Sequence, residues 1–457
     1  MKTSPAERYF STTFPSYRDF VDDALFHPEW GYYSRGRVQF GEGGHYDTYP
    51  NSLSPFFGRM VAGYAYRLWR RWRCPASFEI CELGAGNGQL CLDALVHIAQ
   101  QAARRVRSTS RSKKKTRGRS GWQQFARACR YRIVERSPAL IERQRRTLGP
   151  LASNVTWTKA DLSHRAPRHL PFGPAGLLIA NEVLDCLAHH KVVPTPGLEP
   201  AATVVVPTLK GRVRGIRCVP SAGFEWAVDR EELPVVMTDE QLRGQIAFHE
   251  VQVGLDCIPG LGAFMRRHYP EFFPARRAHA PYFACPEIEV MIRNTARLYD
   301  RMEAIWIDYG GLRSYHLRTA EHRRVCAGPP RSGASVYRDP GRDDITFMVD
   351  FSVVAQAARD AGFRVKRYGE QGELARLSGV KLDDAAVETI LQYRALSWLL
   401  ALSGAGAENQ WRRGSFTWKH PEGRRQRLRP SVRADIDEFL GSRGRPFWMI
   451  ILEKSGG

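Results

Sequence analysis

Long apolar runs are missing from this chain. No stretch of about 18 consecutive apolar residues occurs, so no membrane-spanning helix is expected. The first ten residues, Met1-Lys-Thr-Ser-Pro-Ala-Glu-Arg-Tyr-Phe10, lack the apolar core of a secretory signal. The nine cysteines include no C-x-x-C pair and no Cys/His spacing, which argues against structural zinc. They read as free thiols of a reducing compartment: the cytoplasm, or the mitochondrial matrix in a eukaryote. Acids are scarce, with 47 Asp and Glu against 68 Lys and Arg, for a net charge of +21. Part of the excess is local. Arg104 to Arg119 holds nine cations and no acid, a block that repels itself and is expected to form a surface loop at about 104–120. A second basic cluster lies near Arg412 to Arg429. No nucleic-acid-binding motif accompanies either cluster, so nucleic acid is not the favoured partner. No internal repeat is visible, and 457 residues suffice for a large core.

What is present is organised around Phe78-Glu-Ile-Cys-Glu-Leu-Gly-Ala-Gly-Asn-Gly88. Phe78, Ile80 and Leu83 predict a short buried strand, and Leu90, Ala94, Leu95 and Ile98 predict one apolar helix face after it. Between them Gly84, Gly86 and Gly88 remove Cβ atoms where a ligand must approach backbone. Strand, glycine turn and helix open an α/β sheet at its carboxyl edge for a nucleotide-like ligand. The spacing is not the G-x-G-x-x-G of a dinucleotide site. Glu82, two residues before the first glycine, would repel a pyrophosphate but suits the cationic S-adenosylmethionine.

Three further strands are predicted, at Tyr131–Glu135, Val155–Asp161 and Gly176–Glu182. Each ends in polar residues, so Glu82, Glu135, Asp161 and Asn181-Glu182 gather at one sheet edge, with Glu135 placed to bind ribose hydroxyls. A helix is expected over Tyr17–Phe26, and another from near Pro55, capped from within Asn51–Ser54. After Val192 the pattern turns β-like at Thr203–Pro207, Arg212–Cys218 and Phe224–Val228, read as an antiparallel insertion. Helix is expected from about Pro286 to Arg301, strand at Ala304–Asp308, loop from Arg323 to Asp343, mostly helix over Phe347–Gly362, and a last strand at Phe447–Leu452.

Beyond the glycine motif, several segments occur in a fixed order. They are His27-Pro-Glu-Trp-Gly-Tyr-Tyr33, the Gly44–Thr48 turn, Pro55-Phe-Phe-Gly58, Asn181-Glu-Val-Leu-Asp185, His190-Lys191, Ile307-Asp-Tyr-Gly310 and Asp344–Phe351. With them, the chain from about residue 17 to 455 resembles the MidA-type class I methyltransferases. That family includes the mitochondrial complex I assembly factor that acts as a protein arginine methyltransferase. The resemblance implies a Rossmann-like α/β fold with a seven-stranded sheet. An N-terminal extension (1–75) would contribute to the cofactor site, a core would span 76–192 and 302–457, and a β-rich substrate-selecting segment (193–301) would be inserted. The implied cofactor is S-adenosyl-L-methionine, and no metal is expected.

Under that reading Glu82, Gly84, Gly86 and Gly88 hold the methionine end of the cofactor. Glu135 takes the ribose, Asp161 lies near the adenine, and Asn181 lies near the methyl group. Asn181, Glu182 and Asp185 are the candidate catalytic residues, since carboxylates match the donor fork of a guanidinium. Glu182 is expected to carry the larger effect and Asp185 to orient its loop. A protein arginine acceptor is favoured. A small-molecule or nucleic-acid acceptor, or a partner-binding assembly factor without catalysis, are the alternatives.

Overall fold

The computed structural model describes residues 15–36, 38, 48–104, 121–194, 197–209, 215–219, 225–229, 246–273, 281–313, 322–325, 336–337, 340–342, 344–402, 421–441 and 447–456. The basic loop at 105–120, the glycine turn at 41–44 and residues 412–420 of the second basic cluster lie outside them.

Four parallel strands come first: β1 (Phe78–Leu83), β2 (Cys129–Glu135), β3 (Val155–Lys159) and β4 (Gly173–Asn181). The chain then leaves this sheet. β5 (His190–Val193) and β6 (Ala201–Leu209) are followed by a separate pair, β7 (Gly215–Val219) with β8 (Glu225–Asp229). β9 (Ile246–Gly254) and β10 (Tyr282–Ala284) complete an antiparallel sheet of order β10-β5-β6-β9. The strand expected at Arg212–Cys218 and its neighbour therefore form a hairpin of their own. β11 (Tyr299–Gly311) returns beside β4, and β12 (His322–Val325) pairs with β13 (Asp344–Phe347). β14 (Val349–Asp350) adds to the end of β11, and β16 (Phe447–Lys454) runs antiparallel between β11 and β15 (Arg364–Glu370). The main sheet has the order β15-β16-β11-β4-β1-β2-β3, and β14 makes it eight strands rather than seven.

Both faces of this sheet are covered, as a largely parallel sheet requires. Along β1 and β4, Phe78, Ile80, Leu177 and Ile179 enter one core, and Cys81, Leu83, Leu178 and Ala180 enter the other. The first core is closed by α2 (Phe56–Arg71) and α3 (Gln89–Ala103), which supply Phe57, Met60, Val61, Leu90 and Ala94. A third cluster gathers around α1 (Tyr17–Phe26), with Tyr17, Phe20, Val21 and Leu25 fully buried. Ser16 caps α1 by accepting from Asp19 N–H at 3.2 Å. Among the described residues no helix is long and apolar enough to cross a membrane.

Three local expectations change. Pro55 itself precedes α2 with no side-chain cap, Tyr49–Ser52 forms its own short helix, and Ser54 Oγ donates instead to Asp93 Oδ2 at 2.5 Å. The helix expected to Arg301 stops at Thr295, because Tyr299 already pairs with Gly173 across the sheet. The loop expected from Arg323 begins as strand β12.

Candidate functional site

The first turn after β1 depends on positive backbone φ. Gly84 stands at +60°, Gly86 at +51° and Gly88 at +86°, where a side chain costs energy. A Cβ on Gly84 would come within 3.1 Å of Val183 Cγ2, and one on Gly88 within 3.2 Å of Gln144 Cα. Gln144, on the helix Pro138–Leu148, is fully buried and braces the turn. Its Nε2 donates to Gly86 O at 3.2 Å and to Glu135 Oε2 at 3.1 Å, and its Oε1 accepts from Trp157 Nε1 at 3.1 Å.

This turn forms the floor of a cavity of about 530 Å³ at the carboxyl ends of β1, β2 and β4. Glu82, Gly84, Gly86, Glu135, Asp161, Asn181, Glu182 and Asp185 all line it, so sequence-distant candidates converge on one space. Gly88 does not line it; its place is the close approach to Gln144. Phe26 and Tyr33 from the N-terminal segment and Phe447 from β16 complete the wall. Arg136 lies over the Phe26 ring at 3.6 Å and pairs with Asp161 at 3.0 Å and Asp22 at 3.5 Å, tying α1 to the end of β3.

The carboxyls of the wall have different environments. Burial pushes Glu82 up to about 8, although Tyr131 O–H donates to it at 2.7 Å. Burial also raises Glu135, against the Ser137 N–H bond at 2.9 Å and the Gln144 bond. For Asp161 burial acts in the same sense, but the His164 hydrogen bond and the Arg136 charge outweigh it and hold the carboxyl well below the usual range. Glu82 thus binds a proton in the folded chain that the unfolded chain releases above its ordinary pKa. Its ionisation lowers stability as pH rises between about 4.5 and 8. Glu82→Gln should therefore raise the melting temperature of the free protein at pH 8.5 by about 5 °C. The gain should vanish near pH 4.5. A difference independent of pH in thermal melts at the two values would refute this assignment.

At the other end of the cavity, Asn181, Glu182 and Asp185 follow β4. Glu182 is one of few non-glycine residues at positive φ, +53°, and its N–H donates to Ile307 O at 2.8 Å. Such a conformation in a bulky residue is strained, and strain of this kind collects at functional sites. Asn181 Nδ2 donates to Glu182 Oε1 at 2.9 Å, while Asn181 Oδ1 is buried without a partner. Asp185 is buried; its Oδ2 accepts from Thr346 Oγ1 at 2.9 Å, Tyr309 and Cys186 also act on the carboxyl, and Oδ1 lacks a hydrogen bond of good geometry. Burial raises Asp185. It raises Asp308 well above the ordinary range too, helped there by the Asp185 and Glu182 charges. Asp308 Oδ2 accepts from Leu184 N–H at 3.0 Å and Asp185 N–H at 3.2 Å, and so fixes the loop. Tyr309 hydrogen-bonds to Thr346, and Tyr33 O–H donates to Asp344 Oδ1 at 2.9 Å. Tyr33, Gln144, Asp344 and Thr346 are site residues that the sequence pattern does not single out. Tyr33 and Asp344 lie within the recognised segments and could have been proposed from them; nothing marked Gln144.

The donor set fits S-adenosyl-L-methionine. The cavity is within the size range of small-molecule sites, roughly 300–1,000 Å³. Its floor is backbone without Cβ atoms, three strand ends present carboxyls, and the buried Asn181 Oδ1 has no donor.

A family of S-adenosyl-L-methionine-dependent methyltransferases matches the chain over residues 60–112 and 116–369. A curated relative in Drosophila melanogaster, the mitochondrial protein arginine methyltransferase NDUFAF7 homolog, is 26% identical over 230 residues, 50% of this chain and 48% of that protein. The chain thus matches about half the length of that relative. A crystal structure from Burkholderia thailandensis bound to S-adenosyl-homocysteine superposes with a TM-score of 0.61 at 18% identity, covering 99% of this chain and 91% of the other. A native crystal structure from the same organism gives 0.58 at 18% identity, with 99% and 90% covered. At this identity the likeness is one of fold.

Proposed function

The chain belongs to the S-adenosyl-L-methionine-dependent methyltransferase family, and from that premise we propose that it methylates a guanidinium nitrogen of a protein arginine. Bound S-adenosyl-L-methionine supplies an electrophilic methyl group. Glu82, Gly84 and Gly86 would hold its methionine end, Glu135 its ribose and Asp161 its adenine side, with Asn181 nearest the methyl. The arginine acceptor is supported in part by the name of the Drosophila relative.

The observation that carries the reading is the buried Asp185 carboxyl in the cavity wall, which Thr346, Tyr309 and Cys186 hold from the protein side while Oδ1 lacks a hydrogen bond of good geometry. A buried carboxylate oxygen without a donor is costly, and a planar fork of N–H groups would satisfy it. Glu182 and Asp344 line the same space, so a cation is favoured there over a neutral or anionic acceptor. The methylated nitrogen must lose a proton, and a carboxyl already raised by burial is a suitable acceptor. Asp185 would take that proton at Oδ1 while Thr346 keeps Oδ2 in place.

The test is transfer of a labelled methyl group to proteins captured with the chain, followed by mass spectrometry of the modified side chain. Methylarginine is the expected product. Label on another side chain or on a small molecule would replace the acceptor assignment. Capture of a partner with no label under any condition would favour the binding-only alternative.

A further inference from the structure

A second depression adjoins the cofactor cavity and shares Ala160 and Asp161 with it. It is a groove of about 670 Å³ beside the edge strand β3, and its walls carry Arg132, Lys159, His164, Arg165, Arg168 and His169. Asp161 is the only acid among the lining residues, and it is already held by Arg136 at 3.0 Å and His164 at 3.2 Å. Arg132 is likewise engaged, by Glu79 at 2.8 Å and Thr158 at 3.0 Å. Lys159, Arg165 and Arg168 are exposed, and among the described residues their side chains meet no carboxylate. Like charges this close repel one another, so the arrangement is stabilised by an anionic guest.

We infer that this groove docks an acidic polypeptide segment of a partner protein. Guanidinium groups match carboxylates in bidentate geometry. The groove offers several cations rather than a single enclosed pocket for one phosphate. Single-stranded nucleic acid binds through aromatic faces on which bases stack. The one Phe, Tyr or Trp here, Phe172, has the Arg132 guanidinium over its ring at 4.1 Å and Tyr299 against its edge, so it presents no open platform. Three strand spacings separate β3 from β4, about 14 Å. A clause of the inference rests on the acceptor reading above: four or more extended residues would join the acidic segment to an arginine at Asp185.

The experiment reads binding alone, so it stands or falls apart from methyl transfer. A fluorescein-labelled glutamate-rich peptide is titrated with the full chain and followed by anisotropy at low and high salt. Wild type should bind it with an affinity that falls steeply with salt. Arg165→Glu/Arg168→Glu should weaken binding at least tenfold or so, while the equally charged change Arg70→Glu/Lys381→Glu, on exposed residues elsewhere, should cost less than about threefold. S-adenosylhomocysteine affinity, measured in parallel, reports that both variants remain folded. Equal losses from the two double variants would reduce the effect to net charge and overturn the groove. So would a single-stranded oligonucleotide of matched charge that outcompetes the peptide only when the groove is intact.

Discussion

Asp185→Asn is expected to reduce methyl transfer about thirtyfold or more while leaving S-adenosylhomocysteine affinity within about threefold. Loss of a charged hydrogen-bond partner in a buried site costs about 2 kcal/mol or more, and every 1.4 kcal/mol is a factor of ten. Asparagine keeps the shape and can still accept from Thr346 through its carbonyl oxygen. Its amide would then set a donor in the place of Oδ1, facing the donors of an incoming guanidinium. Glu182→Gln should cost less, because Glu182 is only half-buried and already bonded to Asn181. This reverses the ranking expected from sequence, in which Glu182 held the acceptor and Asp185 shaped the loop. Initial-rate assays on the identified partner decide it. An intact Asp185→Asn enzyme beside a crippled Glu182→Gln would return the role to Glu182.

The second large effect belongs to the turn. Gly86→Val should weaken S-adenosylhomocysteine binding about a hundredfold or more in calorimetry. Valine at φ +51° is strained by roughly 1–3 kcal/mol, and its side chain would stand in the lining of the cavity. Gly149→Val separates these causes. Gly149 has a similar φ, +52°, lies outside the cavity, and a Cβ there meets nothing within 4 Å. That variant should lose some thermal stability and keep its affinity. If both variants bind normally, the cofactor does not approach this turn.

Much of the site was legible because parallel strands end where their apolar runs end. Glu135 and Asn181 end such runs, Glu82 and Asp161 stand at or just past the ends of their strands, and the glycines between Leu83 and Gln89 have no good use other than a close approach. β15 was not legible: Arg-Val-Lys-Arg-Tyr-Gly-Glu has two apolar residues and lies at the sheet edge, half-covered. The first residues of β11, Tyr299-Asp-Arg, read as helix because their partners in β4 supply the pairing that their own pattern does not. At Gly88 the space is limited by Gln144, a contact fifty-odd residues away in the chain that the glycine spacing does not reveal. Asp185 and Glu182 could be named but not ranked, since burial and partner atoms decide between two acids and neither is written in a motif.

The position of β16 has a consequence for biogenesis. β16 lies between β11 and β15, and among the described residues β15 has no other strand partner. A ribosome finishes β11 long before it reaches Phe447. Throughout that interval the growing chain carries an apolar strand with one open edge, a template for pairing with neighbouring chains. The aromatic wall that Phe447 gives to the cavity, against Tyr309 at 5.4 Å, is absent for the same period. A chain that has not yet built this wall has no complete site, so S-adenosyl-L-methionine is expected to stabilise the fold only after Phe447 has been added.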